Sequence, residues 1–131
     1  MERLKERIDV ARKALVRLEE LVAISKPTAV ERDAAIQRFE YTFEAVWKVS
    51  ERYLAVREGM TVRSPKACAR AARETRLLTD DETVTALEMV DDRNETVHTY
   101  NEAVAARIFG SLPRYSELLR TWLDAMAARA G

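Results

Sequence analysis

The sequence predicts an all-α protein, an up-and-down helical bundle of the four-helix-bundle type with about five helices. Apolar residues recur at steps of three and four over long stretches, which is the spacing of one face of a helix. Only three glycines and three prolines occur, and charged residues make up 34% of the chain. No strand signal appears. We therefore expect a single helical domain over residues 1–131, a length typical of one domain with its own core.

The two longest predicted helices of the first half carry clear apolar stripes. The first is expected over residues 2–24, and its stripe suits a bundle core or a dimer seam equally well. The second is expected to begin after Thr28 and to run to about Val56, because Thr28 and Glu31 match the capping box that opens a helix. The two stripes are Leu4, Ile8, Ala11, Leu15, Leu18 and Val22, and Ile36, Phe39, Phe43, Val46, Trp47, Ser50 and Leu54.

A short third helix is predicted from its two ends. Gly59 is a typical residue for closing the preceding helix, since glycine readily adopts a left-handed backbone conformation. Ser64-Pro65 is a strong helix start, with a capping serine and a proline in the first turn. The alanine-rich helix that follows covers about residues 65–75, and Cys68, the only cysteine, is expected in its buried face.

Two more helices are predicted in the second half of the chain. Thr79-Asp80-Asp81-Glu82 is another capping box with acidic residues in the first turn, and it opens a helix that ends at Arg93. The last helix is expected over about residues 100–129. Gly110 and Pro113 predict a kink or a brief break within it.

The stretch between these two helices contains the only histidine of the chain, His98. On one unbroken helix, Arg93 and His98 would point about 140° apart, at roughly 100° per residue. They can share a site only if the helix breaks between them or if two chains combine their residues. Asn94 is an acceptable helix end, and Thr99-Tyr100-Asn101-Glu102 matches a capping box, so the local sequence favours a break.

Such a break would place His98 just before a helix N-terminus. Free backbone N–H groups and the positive end of the helix dipole attract phosphate at such a position. The guanidinium of Arg93, the imidazole of His98 and the phenol of Tyr100 beside an anion site indicate phosphate chemistry. The alternative is that His98 is only a polar residue satisfied at a turn between two helices.

Glu40 does not fit the pattern of the second helix. Its direction falls near that of Phe43, at the edge of the apolar stripe, and an unpaired buried carboxylate costs several kcal/mol. Arg93 is the partner we expect, unless Glu40 lies at the rim of the bundle and reaches water. Glu44 and Lys48 are four residues apart in the favourable order and are expected to form a surface pair.

The composition excludes several classes of function. Lysine plus arginine equals aspartate plus glutamate at 22 each, so RNA binding would require a local basic patch. One histidine and one cysteine cannot form a metal site or an internal disulfide, and a lone cysteine fits a reducing cytoplasm. The N-terminus is not a signal peptide, and no apolar run reaches membrane-spanning length. We expect a cytoplasmic protein without metal, cofactor or membrane contact.

Two stretches of the chain carry a family resemblance. The first is Arg38–Lys48, RFEYTFEAVWK, and the second is Arg93–Tyr100, RNETVHTY. Together they resemble the nucleotidyltransferase substrate-binding group of HEPN proteins, a group that includes the HepT toxins. Their order and their positions on the predicted helices match the family, and the similarity runs through most of the chain. The resemblance implies a homodimeric HEPN-type bundle that acts with a minimal nucleotidyltransferase.

The resemblance also implies roles for individual residues. HEPN relatives use an Arg-x4-6-His pair as a metal-independent RNase site at the dimer interface, which corresponds to Arg93 and His98. Asn94 at the helix end and Glu40 at the edge of the apolar stripe are expected as supporting residues. In the HepT branch, the partner enzyme silences the toxin by transferring AMP to a tyrosine two residues after the histidine, which corresponds to Tyr100.

Cleavage of this kind is chemically reasonable for these residues. RNA carries its own nucleophile, the 2′-hydroxyl, so no metal is required. His98 can move the protons, and Arg93 can stabilise charge on phosphorus. One histidine per chain is few for two proton transfers, whereas a dimer brings two.

Three functions are compatible with this sequence. The first is an RNase toxin that cuts single-stranded RNA, with a nucleotidyltransferase as partner. The second is a non-catalytic subunit that docks to the nucleotidyltransferase and presents or binds its substrate. The third is a plain dimeric bundle whose motif only orders the interface.

Overall fold

The computed structural model describes residues 2–130, which are helical along most of their length. The helices are α1 (Glu2–Val22), α2 (Ala29–Glu58), α3 (Pro65–Glu74), α4 (Asp80–Glu95) and α5 (Glu102–Ala130), with a 3₁₀ turn at Thr96–His98 between the last two. The long helices α1, α2 and α5 pack on one another, and the shorter α3 and α4 pair beside them. No strand occurs in residues 2–130. The predicted all-α bundle is confirmed, and each predicted helix boundary lies within two residues of the observed one.

The predicted helix ends that depend on local side chains are confirmed. Thr28 and Thr79 each accept a bond from the N–H of the glutamate three residues later at 3.1 Å, and that glutamate accepts one in return at 2.9 Å. The hydroxyl of Ser64 accepts a bond from the N–H of Ala67 at 3.2 Å. Gly59 closes α2 with φ of 67°, a conformation that costs glycine little.

The predicted start of α5 is wrong by two residues because a different side chain caps it. The Oδ1 atom of Asn101 accepts bonds from the N–H groups of Ala103 at 2.9 Å and Val104 at 3.3 Å. The helix therefore begins at Glu102. Thr99, the residue expected to cap it, lies in the preceding connection.

The reason for this shift is that both members of the expected capping box have other partners. The Thr99 hydroxyl donates to the carbonyl oxygen of Thr96 at 3.2 Å. The Glu102 carboxylate bonds to Arg32 of α2 at 2.8 Å. Tyr100 consequently lies in the connection before α5 and not in its first turn.

The brief break predicted in α5 is also absent, since the helix continues through Gly110 and Pro113. Proline removes one backbone hydrogen bond from a helix and usually bends or ends it. Here Ile108, Leu112 and Tyr115, on both sides of the proline, are almost completely buried. Packing on both sides keeps the helix continuous.

One cluster of buried apolar side chains fills the space between the helices. Trp122 of α5 is buried against α2, where its Nε1 donates to the hydroxyl of Ser50 at 3.1 Å. Cys68 is fully buried, as predicted, and this burial raises the pKa of its thiol to about 11, which makes it chemically inert. Among residues 2–130, no helix combines the length and apolarity that crossing a membrane requires.

A buried carboxylate joins the end of α4 to α5. Asp92 is only 8% exposed, and its Oδ2 accepts a bond from the hydroxyl of Tyr115 at 2.6 Å. Its Oδ1 bonds to the guanidinium of Arg107. The Tyr115 ring stacks on Phe39 of α2 with 5.7 Å between ring centroids. Burial, and then the bond to Asp92, raise the pKa of the Tyr115 hydroxyl. These contacts fix the last turn of α4, which also carries Arg93.

We expect Asp92→Ala to lower the free energy of unfolding by about 2–3 kcal/mol, because it leaves the Tyr115 hydroxyl buried without its acceptor and removes the partner of Arg107. Tyr115→Phe keeps the stacked ring and removes one bond to a charged acceptor, which Arg107 still contacts, so its cost should be about 1.5 kcal/mol. Urea unfolding followed by circular dichroism measures both.

Asp91→Ala is the matched control, since Asp91 is exposed and forms only a surface pair with Lys66 at 2.8 Å. The two substitutions gain the same helix propensity, and exposed pairs contribute less than about 1 kcal/mol. Equal effects of Asp91→Ala and Asp92→Ala would contradict the role assigned to the buried carboxylate.

Candidate functional site

The helix breaks within the motif, as predicted. α4 continues two residues past Arg93 to Glu95, and the chain then turns through Thr96–His98. The hydroxyl of Thr96, a buried residue, donates to the carbonyl oxygen of Arg93 at 2.7 Å and so satisfies a free acceptor at the helix end. The change from α to 3₁₀ geometry means that one regular helix no longer fixes the directions of Arg93 and His98.

The side chain of Arg93 extends towards α2. Its Nη2 lies 3.8 Å from Oε1 of Glu44, and its guanidinium carbon lies 5.9 Å from the centroid of the Phe43 ring. Glu44 is held in turn by Trp47, whose Nε1 donates to Oε2 at 2.9 Å. The Nε atom of Arg93 is buried and has no hydrogen-bond partner in residues 2–130. The guanidinium is therefore anchored on one side, is 38% exposed, and keeps an unsatisfied donor.

Two predicted ion pairs are not formed. Glu44, one turn further along α2, takes the place expected for Glu40 beside Arg93. Glu40 is half-buried, and its carboxylate has no ion pair or hydrogen bond within the described part of the chain. Lys48, expected to pair with Glu44, lies 4.0 Å from Glu51. Helical spacing identifies the correct face of α2 in both cases but not the turn at which the partner lies.

His98 and Tyr100 form a contacting pair on the surface. Nδ1 of His98 lies 3.1 Å from the hydroxyl oxygen of Tyr100, and the rings meet edge to face with 5.7 Å between centroids. Both residues are exposed, Tyr100 by 82%. The contact leaves Nε2 of His98 without a bond inside the described chain, so this nitrogen is open to a ligand. Asn94 is likewise exposed and unbonded through its side chain.

The structure does not unite all the predicted site residues within one chain. No hydrogen bond links Arg93 to His98 in residues 2–130, because Arg93 extends to α2 while His98 contacts Tyr100. The predicted phosphate site at the start of α5 is also weaker than expected, because Asn101 already accepts bonds from two of the helix's first N–H groups.

The chemistry available here is that of a cation, an imidazole and a phenol at the surface. An imidazole with a free nitrogen can take or give a proton, and an arginine with free donors can bind a phosphate. Val97, between them in sequence, is 71% exposed. In the part of the chain that is described, no three histidine, cysteine or acidic side chains lie together as metal ligands would.

Two neighbours of the site were not predicted from the sequence: Asp92, which holds the end of α4, and Glu44, which holds Arg93. A signal for Asp92 was present, because it follows Met89 by three residues and so falls on the apolar face of α4. A charged residue on such a face requires a buried partner. Nothing in the sequence distinguished Glu44 from Glu40 as the partner of Arg93.

Solved structures similar to this chain share its fold. A protein from Thermus thermophilus is 54% identical, with a TM-score of 0.87, and the match covers 88% of this chain and 98% of that one. A mutant of the MntA–HepT toxin–antitoxin pair is 14% identical with a TM-score of 0.82, covering 98% and 99% of the two chains. The tri-AMPylated HEPN toxin of Shewanella oneidensis, in complex with MNT antitoxin, is 16% identical with a TM-score of 0.77, covering 95% and 96%.

The sequence also matches a known family over most of its length. No curated protein matches it. Residues 6–128, however, match the family described as nucleotidyltransferase substrate binding protein like. This agrees with the resemblance carried by the two motifs and with the toxin structures that have the same helical fold. The chain therefore belongs to the nucleotidyltransferase substrate-binding protein-like family, with the bundle fold of HEPN toxins.

Proposed function

We propose that this protein is a HepT-like RNase that acts with a minimal nucleotidyltransferase as a toxin–antitoxin pair. The observation that carries the proposal is the exposed pair of His98 and Tyr100, which lies in a break between helices just after the anchored Arg93. The order Arg-x4-His-x-Tyr stands here in a fold shared with solved toxin–antitoxin complexes.

The proposed cleavage uses the 2′-hydroxyl of the RNA as nucleophile. This oxygen attacks the adjacent phosphorus, the bond to the 5′-oxygen of the next nucleotide breaks, and a 2′,3′-cyclic phosphate forms. One imidazole takes the proton from the 2′-hydroxyl and a second gives a proton to the leaving oxygen. Arg93 donates hydrogen bonds to the phosphate oxygens as negative charge builds up. Glu44 of α2 anchors Arg93, and the exposed side chain of Asn94 can donate a further hydrogen bond to the phosphate.

Two imidazoles in one site require two chains. We expect a two-fold dimer formed through the surface that carries Val97, which is 71% exposed. Light scattering at micromolar concentration should give twice the chain mass. Val97→Asp should produce a monomer because it places a charge in an apolar interface. The Val16→Asp variant, changed on the exposed side of α1, should remain a dimer. A dimeric Val97→Asp variant together with a monomeric Val16→Asp variant would show that the dimer interface lies on α1.

Cleavage is expected from the purified, unmodified protein in the presence of EDTA, with single-stranded RNA as substrate and 2′,3′-cyclic ends as product. His98→Ala and Arg93→Ala should each lower the rate by about 100-fold or more, the usual contribution of a positioned acid–base group or charge donor. Thermal midpoints should change by only a few degrees, since both side chains are partly or fully exposed. Normal cutting by both variants would show that these residues are structural.

Silencing is expected through transfer of AMP to Tyr100. The phenol oxygen attacks the α-phosphorus of ATP, pyrophosphate leaves and the phenol proton is lost. Tyr100 is 82% exposed and Tyr41 is 56% exposed, whereas Tyr53 and Tyr115 are each 1% exposed and out of reach of an enzyme. An AMP group on Tyr100 would lie against Nδ1 of His98 and occupy the space for the RNA phosphate.

Co-expression with the cognate nucleotidyltransferase, followed by intact-mass and peptide mass spectrometry, tests this modification. The first AMP should be found on Tyr100, and Tyr100→Phe should lack it. Addition only to Tyr41, the other exposed tyrosine, would contradict the assignment.

The second candidate function is a docking subunit that presents or binds the substrate of the nucleotidyltransferase. The family description itself favours this alternative. In that case, the exposed Arg93 and His98 would bind a nucleotide rather than cut RNA. A stable complex of the unmodified protein with its partner, without RNase activity in the free protein, would support it.

A further inference from the structure

A basic groove of about 330 Å³ lies on the surface between α1, α2 and the segment after α2. Four of its lining residues are cationic, namely Arg7 of α1, Lys48 and Arg52 of α2, and Arg63 of the segment that precedes α3. Glu51 is the single acidic residue among those that line it. The protein carries no net charge, so this excess of cations is a local feature and not a reflection of overall composition.

The cations of this groove are available to an anion. Arg7, Arg52 and Arg63 are exposed and make no ion pair with any residue of 2–130. Lys48 is held in place, with its Nζ 4.4 Å from the centroid of the Trp47 ring and 4.0 Å from Glu51. In contrast, the groove between α4 and α5 is lined by three carboxylates and a single arginine.

The segment Thr61–Arg63, which lines the same groove, carries unbonded neutral donors. It has no regular secondary structure, and its backbone N–H groups donate to no acceptor within residues 2–130. The hydroxyl of Thr61 is also unbonded there. Free backbone N–H groups and hydroxyls beside arginines are the usual donors to phosphate oxygens.

Side-chain contacts along α2 connect the basic groove to Arg93. A second groove of about 390 Å³ shares Arg7 and Lys48 with it and is otherwise lined by Glu6, Val10, Ala45 and Val49. Lys48 lies one helical turn beyond Glu44, about 6 Å along α2 at 1.5 Å per residue. Lys48 contacts the Trp47 ring, whose Nε1 donates to Glu44, the partner of Arg93. A chain of side-chain contacts along α2 therefore joins the basic groove to Arg93.

We propose that the basic groove binds the phosphate backbone of single-stranded RNA and guides the strand to Arg93 and His98. This assignment rests on the RNase function proposed above and identifies its substrate-binding surface. A cationic groove that follows the backbone is the general means by which proteins hold single strands without reading their sequence. The groove has charge and donors, and none of its lining residues is aromatic, which favours contacts to phosphates over stacking on bases.

The test is binding of a fluorescein-labelled oligouridylate of about 12 nucleotides, a length within the usual range for such grooves. It is measured by anisotropy in a His98→Ala background, so that cutting does not interfere. Arg52→Gln with Arg63→Gln should weaken binding at least tenfold at low salt. The slope of log affinity against log salt should fall by about 1.4, or 0.7 for each lost phosphate contact.

Arg17→Gln with Arg70→Gln is the matched control. Both arginines are exposed, make no ion pair within residues 2–130 and lie outside the basic groove, so the net charge changes by the same amount. This variant should bind the RNA within about twofold of the parent, since remote charges are screened by salt. Equal binding by the two double variants would overturn the proposal.

Two further measurements separate this proposal from the proposed RNase function. With His98 intact, Arg52→Gln with Arg63→Gln should lower kcat/KM on the oligouridylate at least tenfold. The same variant should cut a dinucleotide at the parent rate, because a dinucleotide does not reach the groove. Suppose that the parent protein cuts neither the oligouridylate nor the dinucleotide while the two double variants still differ in RNA affinity. In that case the proposed RNase function is wrong, and the RNA-binding groove is supported. The binding of ATP to the same variants is measured as well. If Arg52→Gln with Arg63→Gln abolished ATP binding but left the RNA affinity unchanged, the groove would be a mononucleotide site and the proposal would be wrong.

Discussion

The carboxylate of Asp92, buried between Tyr115 and Arg107, is the contact on which the geometry of the site depends. It fixes the last turn of α4 against α5 through one short bond to a phenol and one to a guanidinium. Because Arg93 follows Asp92 directly, the buried carboxylate also restricts the direction of Arg93. The stacking of Tyr115 on Phe39 extends this constraint to α2, the helix that supplies the acidic partner of Arg93.

The two halves of the motif lie in opposite environments. Arg93 lies partly inside the bundle, where an ion pair and an aromatic ring restrict it, whereas His98 and Tyr100 lie in the connection and contact mainly each other. A restrained cation and a more accessible imidazole therefore lie on the two sides of the break between α4 and the 3₁₀ turn. Neither the buried Nε of Arg93 nor Nε2 of His98 has a hydrogen-bond partner within residues 2–130.

The sequence predicted correctly the features that depend on contacts between residues close in sequence, and it missed those that depend on contacts between distant residues. Helix starts at Thr28, Ser64 and Thr79 were predictable because each cap involves residues only three apart. The start of α5 was not predictable in this way. Arg32, which is distant in sequence, bonds to Glu102, and Asn101 caps the helix instead of Thr99. The same limit applies to the site itself.

At the site, helical spacing in the sequence placed an acidic residue of α2 near Arg93. The choice of Glu44 over Glu40 depends on the relative positions of α2 and α4 along their axes, which the sequence does not specify. The resemblance identified Arg93, His98 and Tyr100, and the contact between the last two is visible only in three dimensions. The spacing from Met89 marks Asp92 as a residue of the apolar face of α4, but its partners Tyr115 and Arg107 are distant in sequence and could not be assigned from a local pattern.

Each helix that borders the connection is closed by its own residues. Thr96 satisfies a carbonyl at the end of α4, and Asn101 satisfies the first N–H groups of α5. The side chains that close the two helices belong to Thr96 and Asn101 and not to His98 or Tyr100. The connection can therefore gain or lose a residue without moving the core, because exposed loops tolerate changes of length at small cost. The reach of the histidine can thus change during evolution independently of the stability of the bundle.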